Sequence, residues 1–205
     1  MSTGGRRLVD VLDAAYAEDP WLSWTLPDRG AARSLFSLYL RTVAFAHSRV
    51  LVAGDPVDGV AILVPPGVAA RPSAEVGAEV IALHGRRIGP ALDADAVLER
   101  HRHPQPCWVL HTLAVHPDAQ GRGLGTALLD AVVAHVDAEG EGRGPLTLET
   151  ANPHAVGWYQ RRGFDVDHRI DLGRGWGFGV DAPTTWLLSR RPAPSSPTDR
   201  PHAVR

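Results

Sequence analysis

The residues best suited to chemistry in this chain form a glycine-rich run between positions 113 and 129. Residues 113–115 predict the end of an apolar strand, 116–119 a short turn, and 120–125 the glycine-punctuated start of a helix. Glycines carry no side chain, so several backbone N–H groups would lie uncovered at that helix N-terminus. Such donors, with the positive end of the helix dipole, suit a pyrophosphate. The run therefore predicts a site for a phosphate-bearing cofactor.

Two familiar phosphate-binding motifs fit this run poorly. A P-loop requires a lysine after its second glycine, and the chain contains no lysine. A dinucleotide fingerprint requires G-x-G-x-x-G, whereas the glycines here follow G-x-G-x-G with Thr126 next. A tight strand-to-helix turn with glycines present only for close packing stays open as an alternative.

Composition predicts one intracellular domain. The chain has 205 residues and a formal net charge of −2, which gives no general affinity for nucleic acid or anionic membranes. The single Cys107 excludes an internal disulfide and suits a reducing cytoplasm. The first residues lack the apolar stretch of a secretory signal, and no run reaches the ~20 apolar residues that span a bilayer. We expect a cytoplasmic protein.

Hydrophobic periodicity predicts alternating strands and helices, and hence an α/β domain. The helices are expected at about 8–19, 31–47, 73–103 (broken at Gly89-Pro90), 123–138 and 152–162. The strands are expected at 49–52, 59–64, 108–115, 146–150, 164–172 and 184–188. Residues 21–24 are expected to be irregular, and 173–179, where glycine alternates with bulky residues, a flap or hairpin loop. We expect a single domain over 1–189 and a disordered tail over 190–205.

A second pattern occupies residues 146–164, where a strand leads into a helix that Asn152-Pro153 would begin. Its fixed positions are Asn152, Trp158, Tyr159, Gly163 and Phe164. Together with L-A-V-x-P at 113–117 and Q-x-x-G-x-G at 120–125, this pattern resembles the GNAT superfamily of N-acetyltransferases. The resemblance covers roughly residues 108–164. Residues 15–21, 26–28 and 64–67 are more weakly similar to a bacterial branch that includes puromycin N-acetyltransferase.

The resemblance implies an α/β fold with a central twisted mixed sheet, flanked by helices and splayed between its fourth and fifth strands. Acetyl-CoA would bind as co-substrate in the wedge where those two strands separate. The strand at 113–115 would make backbone contacts with it, and the glycine turn would surround its pyrophosphate. Asn152 would contact the cofactor beside the acetyl group, although a simple helix cap is an equal and compatible role. The implied cofactor-binding residues are Leu113, Ala114, Val115, Gln120, Gly121, Arg122, Gly123, Leu124, Gly125, Thr126, Asn152 and Tyr159.

Acetyl transfer to an amine needs a neutral amine, a polarised thioester carbonyl and a proton for the departing thiolate. Tyr159 matches the position of the tyrosine proposed as general acid in the family, and a phenol with pKa near ~10 suits a thiolate. Packing against the cofactor is its alternative role. The backbone N–H near Leu113 would polarise the carbonyl.

The proton acceptor is less well defined by the sequence. His111 stands where the family often has Glu, and histidine titrates near neutrality. Glu149, at the end of the next strand, is a second candidate base, or an anchor for the amine, or a partner of an arginine. Water could also carry the proton away, so all three acceptors stay open.

Aromatic side chains could line the acceptor pocket, since their faces attract cations and flat amines. The candidates are Trp21, Trp24, Tyr39, Trp108 and Trp176. Each of these residues could equally belong to the core. The pair His101 and His103 resembles a metal-binding fragment, but no second cluster completes it, and we expect no metal.

These observations predict an N-acetyltransferase that moves an acetyl group from acetyl-CoA to a primary amine of a small molecule or peptide, by direct transfer in a ternary complex. A propionyl or succinyl donor, a catalytically silent acyl-CoA sensor and, more remotely, a nucleotide-binding regulator are the alternatives. We expect neither nucleic acid nor membrane as a partner. A homodimer stays open because the N-terminal helices carry apolar residues.

Overall fold

A six-stranded mixed sheet forms the centre of the computed structural model, which describes residues 3–68, 73–104, 106–139 and 144–191. In space the strands follow the order β1-β2-β3-β4-β6-β5, and only the β3–β4 pair is parallel. Their bounds are β1 Arg49–Ala53, β2 Gly59–Val64, β3 Trp108–Val115, β4 Leu146–Thr150, β5 Asp165–Asp171 and β6 Thr184–Arg190. All six lie where the hydrophobic pattern predicts strands.

The helices flank this sheet. They are α1 Thr3–Ala15, α2 Pro20–Thr25, α3 Arg29–Tyr39, α4 Phe45–His47, α5 Ala74–His84, α6 Ile88–Glu99, α7 Leu124–Ala138, α8 Pro153–Gln160 and α9 Leu172–Trp176. A π-helical turn, Leu40–Ala44, joins α3 to α4, and a 3-10 turn, Gly85–Arg87, joins α5 to α6. The mixed α/β fold class predicted from the sequence is confirmed.

Three local predictions were wrong. Residues 21–24 are helical because Asp19 caps the N-terminus of α2 and accepts a hydrogen bond from the N–H of Leu22, with Pro20 in the first turn. The helix break predicted at Gly89-Pro90 lies instead at Gly85, which has a φ of +53°. Pro90 lies in the first turn of α6, where a proline is tolerated. The segment 173–179, predicted as a flap or hairpin loop, instead begins within the short helix α9, which Asp171 caps. The expected tail lies outside the described residues from 192 onward.

Helices pack on both faces of the sheet and enclose separate apolar clusters. On one face, α7 and α8 cover β2, β3, β4 and β6 around buried Leu110, Leu129 and Phe164. On the other face, α1 and the π-helical turn cover β2 and the end of β3, around Leu12, Leu40 and Ile62. A third cluster joins α2, α6 and α9 to β5 and β6.

The parallel strands that part are the third and fourth of this chain, rather than the fourth and fifth that the resemblance implied. The numbering differs because the described chain before Arg49 is helical and contributes no strand. Within the described ranges, no helix combines the length and apolar character needed to cross a membrane.

The packing of α7 against the sheet can be tested by truncating Leu129, which is 1% exposed in the largest apolar cluster. Leu129→Ala should lower the free energy of unfolding by roughly 2–5 kcal/mol, because it removes buried methyl groups and leaves a cavity. Urea unfolding measures the change. Leu92→Ala is the control, since Leu92 on α6 is 60% exposed and its loss should cost little. Equal effects of the two substitutions would contradict this packing.

Candidate active site

A wedge opens between the parallel strands β3 and β4. Only two register pairs join them, Trp108 with Leu146 and Val109 with Thr147. Beyond that point β3 continues for six residues to Val115 and β4 for three residues to Thr150. Backbone groups of β3 that face β4 there have no strand partner. Unpaired amides and carbonyls along a strand edge are a template for an extended ligand.

His111 lies at a β-bulge just where the strands part. Ile62 of β2 pairs with Thr112 and Leu63 with Leu110, so His111 is the extra residue between them. A bulge of this kind bends its strand and redirects its side chains. The bulge therefore places the imidazole of His111 at the narrow end of the wedge. Its Nδ1 lies 3.1 Å from the hydroxyl oxygen of Thr112.

The N-terminus of α7 stands at the wide end of the wedge, directly after the turn that follows β3. Gly121 and Gly123 have φ values of +75° and +83°, and a Cβ at either would meet nothing within 4 Å. No described side chain caps the helix at Gly123. The first N–H groups of α7 therefore stay available, as an anion site requires.

Cationic and polar side chains surround this helix terminus. Gln120 donates from Nε2 to the carbonyl of Val115, 3.2 Å away, and fixes the turn against β3. Arg162 donates to the hydroxyl oxygen of Thr126 at 2.9 Å, and its guanidinium lies 3.9 Å from the ring centroid of Trp158. Arg122 is largely exposed at the rim, 3.9 Å from a carboxylate oxygen of Asp58, which Arg7 also binds. The first turn of α7 thus lies in a positive environment.

Asn152 lies at the N-cap of α8, beside the end of β4. Its Oδ1 accepts a hydrogen bond from the N–H of His154 at 3.0 Å, so the predicted cap is present. The side chain is exposed. Its amide nitrogen is therefore free for the predicted cofactor contact as well.

Tyr159 lies on the buried side of α8, 8% exposed, with its ring packed edge-on against Trp158 and Phe164. Burial raises the pKa of its phenol above the ordinary value, and the nearby phenol of Tyr16 adds to the increase. The hydroxyl makes no hydrogen bond with the described residues. A phenol in this environment stays protonated at neutral pH and therefore has a proton that it can donate.

Tyr16 is a site residue that the sequence analysis missed. It follows α1, its ring packs on Phe36, and the backbone amide of Leu113 interacts with its hydroxyl. Burial raises its pKa, the carboxylate of Asp19 acts in the same direction, and the Leu113 amide opposes both. Its place on the apolar face of the helix predicted at about 8–19 was the only signal in the sequence. Tyr16 thus lies at the same Leu113 amide that was predicted to polarise the thioester.

Tyr39 stacks on the imidazole of His111, with ring centroids 4.4 Å apart and planes 16° from parallel. Its hydroxyl is buried and has no hydrogen-bond partner among the described residues. Desolvation by the surrounding protein and the positive charge of Arg102 lower the pKa of His111 to about 4, even though the residue is exposed to solvent. The imidazole is therefore neutral at pH 7.

Both oxygens of Glu149 accept hydrogen bonds from Arg102, from Nε at 2.5 Å and from Nη2 at 3.2 Å. Arg102 also binds Asp95 and Glu99. Of the roles considered for Glu149, the structure contains its ion pair with an arginine, Arg102. The sequence analysis considered only the histidines on either side of Arg102. No local pattern links Arg102 to Glu149, which is 47 positions away in the chain.

The five aromatic residues considered for the acceptor pocket do not form one wall. Trp108 is 3% exposed and packs edge-on against His135 of α7, within the core. Trp24 is buried under α6, with Trp21 and Phe178 packed against it. Trp176 is 44% exposed and contacts His101. Of the five, Tyr39 contacts His111.

A metal site has no support within the part of the chain that the structure describes, where no three His, Cys, Asp or Glu side chains group in a way that could hold an ion. His101 contacts His168 at 5.2 Å between ring centroids, in an edge-to-face arrangement. The ring contacts of His101 are with His168 and Trp176.

Comparison with known proteins agrees with this geometry. Residues 75–164 match the model of the Acetyltransferase (GNAT) family. That range contains β3, the glycine turn, α7, β4 and α8, which together build the wedge and both of its walls.

Solved structures share the fold at low sequence identity. An acetyltransferase from Corynebacterium glutamicum, described as histone acetyltransferase HPA2 and related, is 23% identical with a TM-score of 0.69 over 96% of both chains. A Drosophila melanogaster polyamine N-acetyltransferase is 18% identical with a TM-score of 0.61, over 91% of this chain and 94% of its own. A variant agmatine N-acetyltransferase is 18% identical with a TM-score of 0.60, over 90% and 93%. This chain therefore has the fold of these acetyltransferases, and its residues 75–164 match the model of the GNAT family.

Proposed function

We propose that the protein is a cytoplasmic N-acetyltransferase that moves an acetyl group from acetyl-CoA to a primary amine of a small molecule or peptide, directly and within a ternary complex. The observation that carries this proposal is the wedge between β3 and β4, with the uncapped N-terminus of α7 at one end and the protonated phenol of Tyr159 beside it. Acetyl-CoA supplies the activated thioester.

The residues present fit a long, anionic acyl carrier. The unpaired edge of β3 offers peptide groups to a pantetheine arm, and the first turn of α7 offers N–H groups to a pyrophosphate. Glycines at 121 and 123 keep that approach open, because neither has a side chain that would cover the donors. Arg122 and Arg162 place positive charge around the same turn.

Neutral groups line the place where chemistry would occur. The amide of Leu113 interacts with the hydroxyl of Tyr16 in this structure, and it would donate instead to the thioester carbonyl when acetyl-CoA binds, as in other oxyanion-binding arrangements. Tyr159 holds a proton on its hydroxyl that can pass to a departing sulfur. His111, uncharged at pH 7, accepts a hydrogen bond from an incoming amine, and water removes the proton because a pKa near 4 makes the imidazole a weak base.

The general-acid role of Tyr159 is tested by Tyr159→Phe. This change keeps the ring that packs on Trp158 and Phe164 and removes only the hydroxyl. We expect kcat to fall by roughly 10²-fold, the ordinary contribution of a positioned acid, while the Kd for acetyl-CoA stays the same. Thiol release and isothermal titration measure the two quantities. A wild-type kcat would show that the hydroxyl only packs, and a silent acyl-CoA sensor would then account better for the site.

The pyrophosphate cradle is tested by Gly123→Ala. The substitution forces a Cβ into a positive-φ position, which costs about 1–2 kcal/mol, and it distorts the N–H groups of the first turn of α7. We expect the Kd for acetyl-CoA to rise at least about tenfold, as a loss of ~1.4 kcal/mol of binding energy implies. Gly67→Ala is the matched control, with a φ of +78°, similarly open space and a position after β2, away from the wedge. If both variants bind acetyl-CoA like the wild type, the cradle is elsewhere.

The environment of His111 is tested by the pH dependence of stability. Its pKa is 6.5 in the ordinary state and about 4 in the folded protein, so between these values the unfolded chain binds more protons. The free energy of unfolding should therefore decrease as the pH falls through this window. His111→Gln removes the titration, so its loss of stability between pH 7 and pH 5 should be smaller in urea unfolding. Identical losses in both proteins would show that His111 is not held neutral.

A further inference from the structure

A cavity of about 440 Å³ lies on the sheet next to the narrow end of the wedge. Val109 and Thr147, the last paired residues before β3 and β4 part, form its floor. His101 and Arg102, which follow α6, form one wall, and His168 of β5 forms another. Pockets of roughly 300–1,000 Å³ hold small organic ligands, so this one admits a short molecule.

The cavity lies beside the wedge, although His111 itself is not among the residues that line it. Val109 is two residues before His111, and the positive charge of Arg102 reaches the His111 imidazole. Glu149, which lies in the cavity wall, is followed directly by Thr150 at the end of β4. A molecule in this cavity therefore has one end near His111 and the other near β5.

The described lining carries an excess of negative charge. Glu99, Glu149 and Asp167 contribute three carboxylates, and Arg102 contributes one guanidinium, which leaves two negative charges with the histidines counted as neutral. Arg102 is bound to both Glu99 and Glu149. Asp167 has no ion-pair partner among the described residues, and its Oδ1 accepts a hydrogen bond from the hydroxyl of Ser189 at 3.0 Å.

The reacting amine cannot neutralise this charge, because an amine must lose its proton and become neutral before it attacks a thioester. A carboxylate at the far end of the same cavity then stabilises a different positive group of the same substrate. A monoamine would place a carbon chain beside Asp167 and gain nothing from it. This step depends on the proposed acetyltransferase function, since it identifies which amine that reaction accepts.

We propose that this cavity is the acceptor site, and that it selects a short substrate with a second cationic group, an ammonium or a guanidinium, which Asp167 binds while the reacting amine lies at His111. Asp167 is a specificity-determining residue in this arrangement and takes no part in the acetyl transfer. The Arg102 cluster holds Glu99 and Glu149 in place on the wall between the two ends of the substrate.

Binding can be compared for two amines that differ in one group, 1,4-diaminobutane and butylamine. Each is titrated calorimetrically into the full chain at low salt, with and without saturating CoA. We expect the diamine to bind about twofold to fivefold more tightly, which is ~0.4–1 kcal/mol, as an exposed ion pair contributes. The difference should shrink at high salt, because the contact with Asp167 is exposed to screening. Equal affinity for the two amines, or binding of neither, would overturn the proposal.

Asp167→Asn tests the residue itself. The amide keeps an oxygen for Ser189 and removes the charge, so affinity for the diamine should fall about twofold to fivefold, as expected for an exposed ion pair. Butylamine binding should not change. Asp130→Asn, at an exposed position on α7, is the matched control and should leave both amines unaffected. If Asp167→Asn binds the diamine like the wild type, Asp167 does not select the substrate. Failure of CoA to bind would contradict the acetyltransferase function separately from the amine comparison.

Discussion

The separation of β3 from β4 is the constraint on which the rest of the molecule depends. Two parallel neighbours in a sheet normally pair along their length, and here they pair at two positions only. The remaining peptide groups on that edge of β3 lose the hydrogen bonds that a strand would supply, which is costly unless water or a ligand replaces them. A ligand that binds along this edge restores those bonds, so the unpaired edge is itself a source of binding energy.

Strand pairing on the outer sides of β3 and β4 holds the gap open. β3 pairs with β2 along its length, and all five residues of β4 pair with β6. Helices α7 and α1 pack on opposite faces of β2 and β3, while α8 packs on β4 and β5, so the strands on each side of the gap also contact helices. The bulge at His111 supplies the bend that directs β3 away from β4. A rigid opening of this kind needs little reorganisation when a ligand enters.

Local patterns in the sequence were sufficient for the sheet and for the glycine turn and helix that follow β3, but not for the contacts around His111 and Arg102. Strands and the helix after the glycine turn follow from hydrophobic periodicity and from glycines whose backbone conformation other residues avoid, as at Gly123. The helix at Pro20–Thr25 was missed because its cap, Asp19, was read as a helix end. The contact of Arg102 with Glu149, the stacking of Tyr39 on His111 and the core position of Trp108 join residues distant in the sequence. Periodicity carries no information on such contacts.

Charge is divided across the wedge in a way that matches the proposed reaction. Positive groups gather around the first turn of α7, where Arg122 and Arg162 lie, and negative groups line the cavity beside β4 and β5. Between these two regions, burial keeps the phenol of Tyr159 protonated, and desolvation together with the charge of Arg102 keeps the imidazole of His111 uncharged. A fixed charge near the reacting atoms would favour the ammonium form of an amine or repel the developing thiolate. Neutral hydrogen-bonding groups at the centre avoid both effects, while charges at a distance on either side bind an anionic carrier and a cationic acceptor.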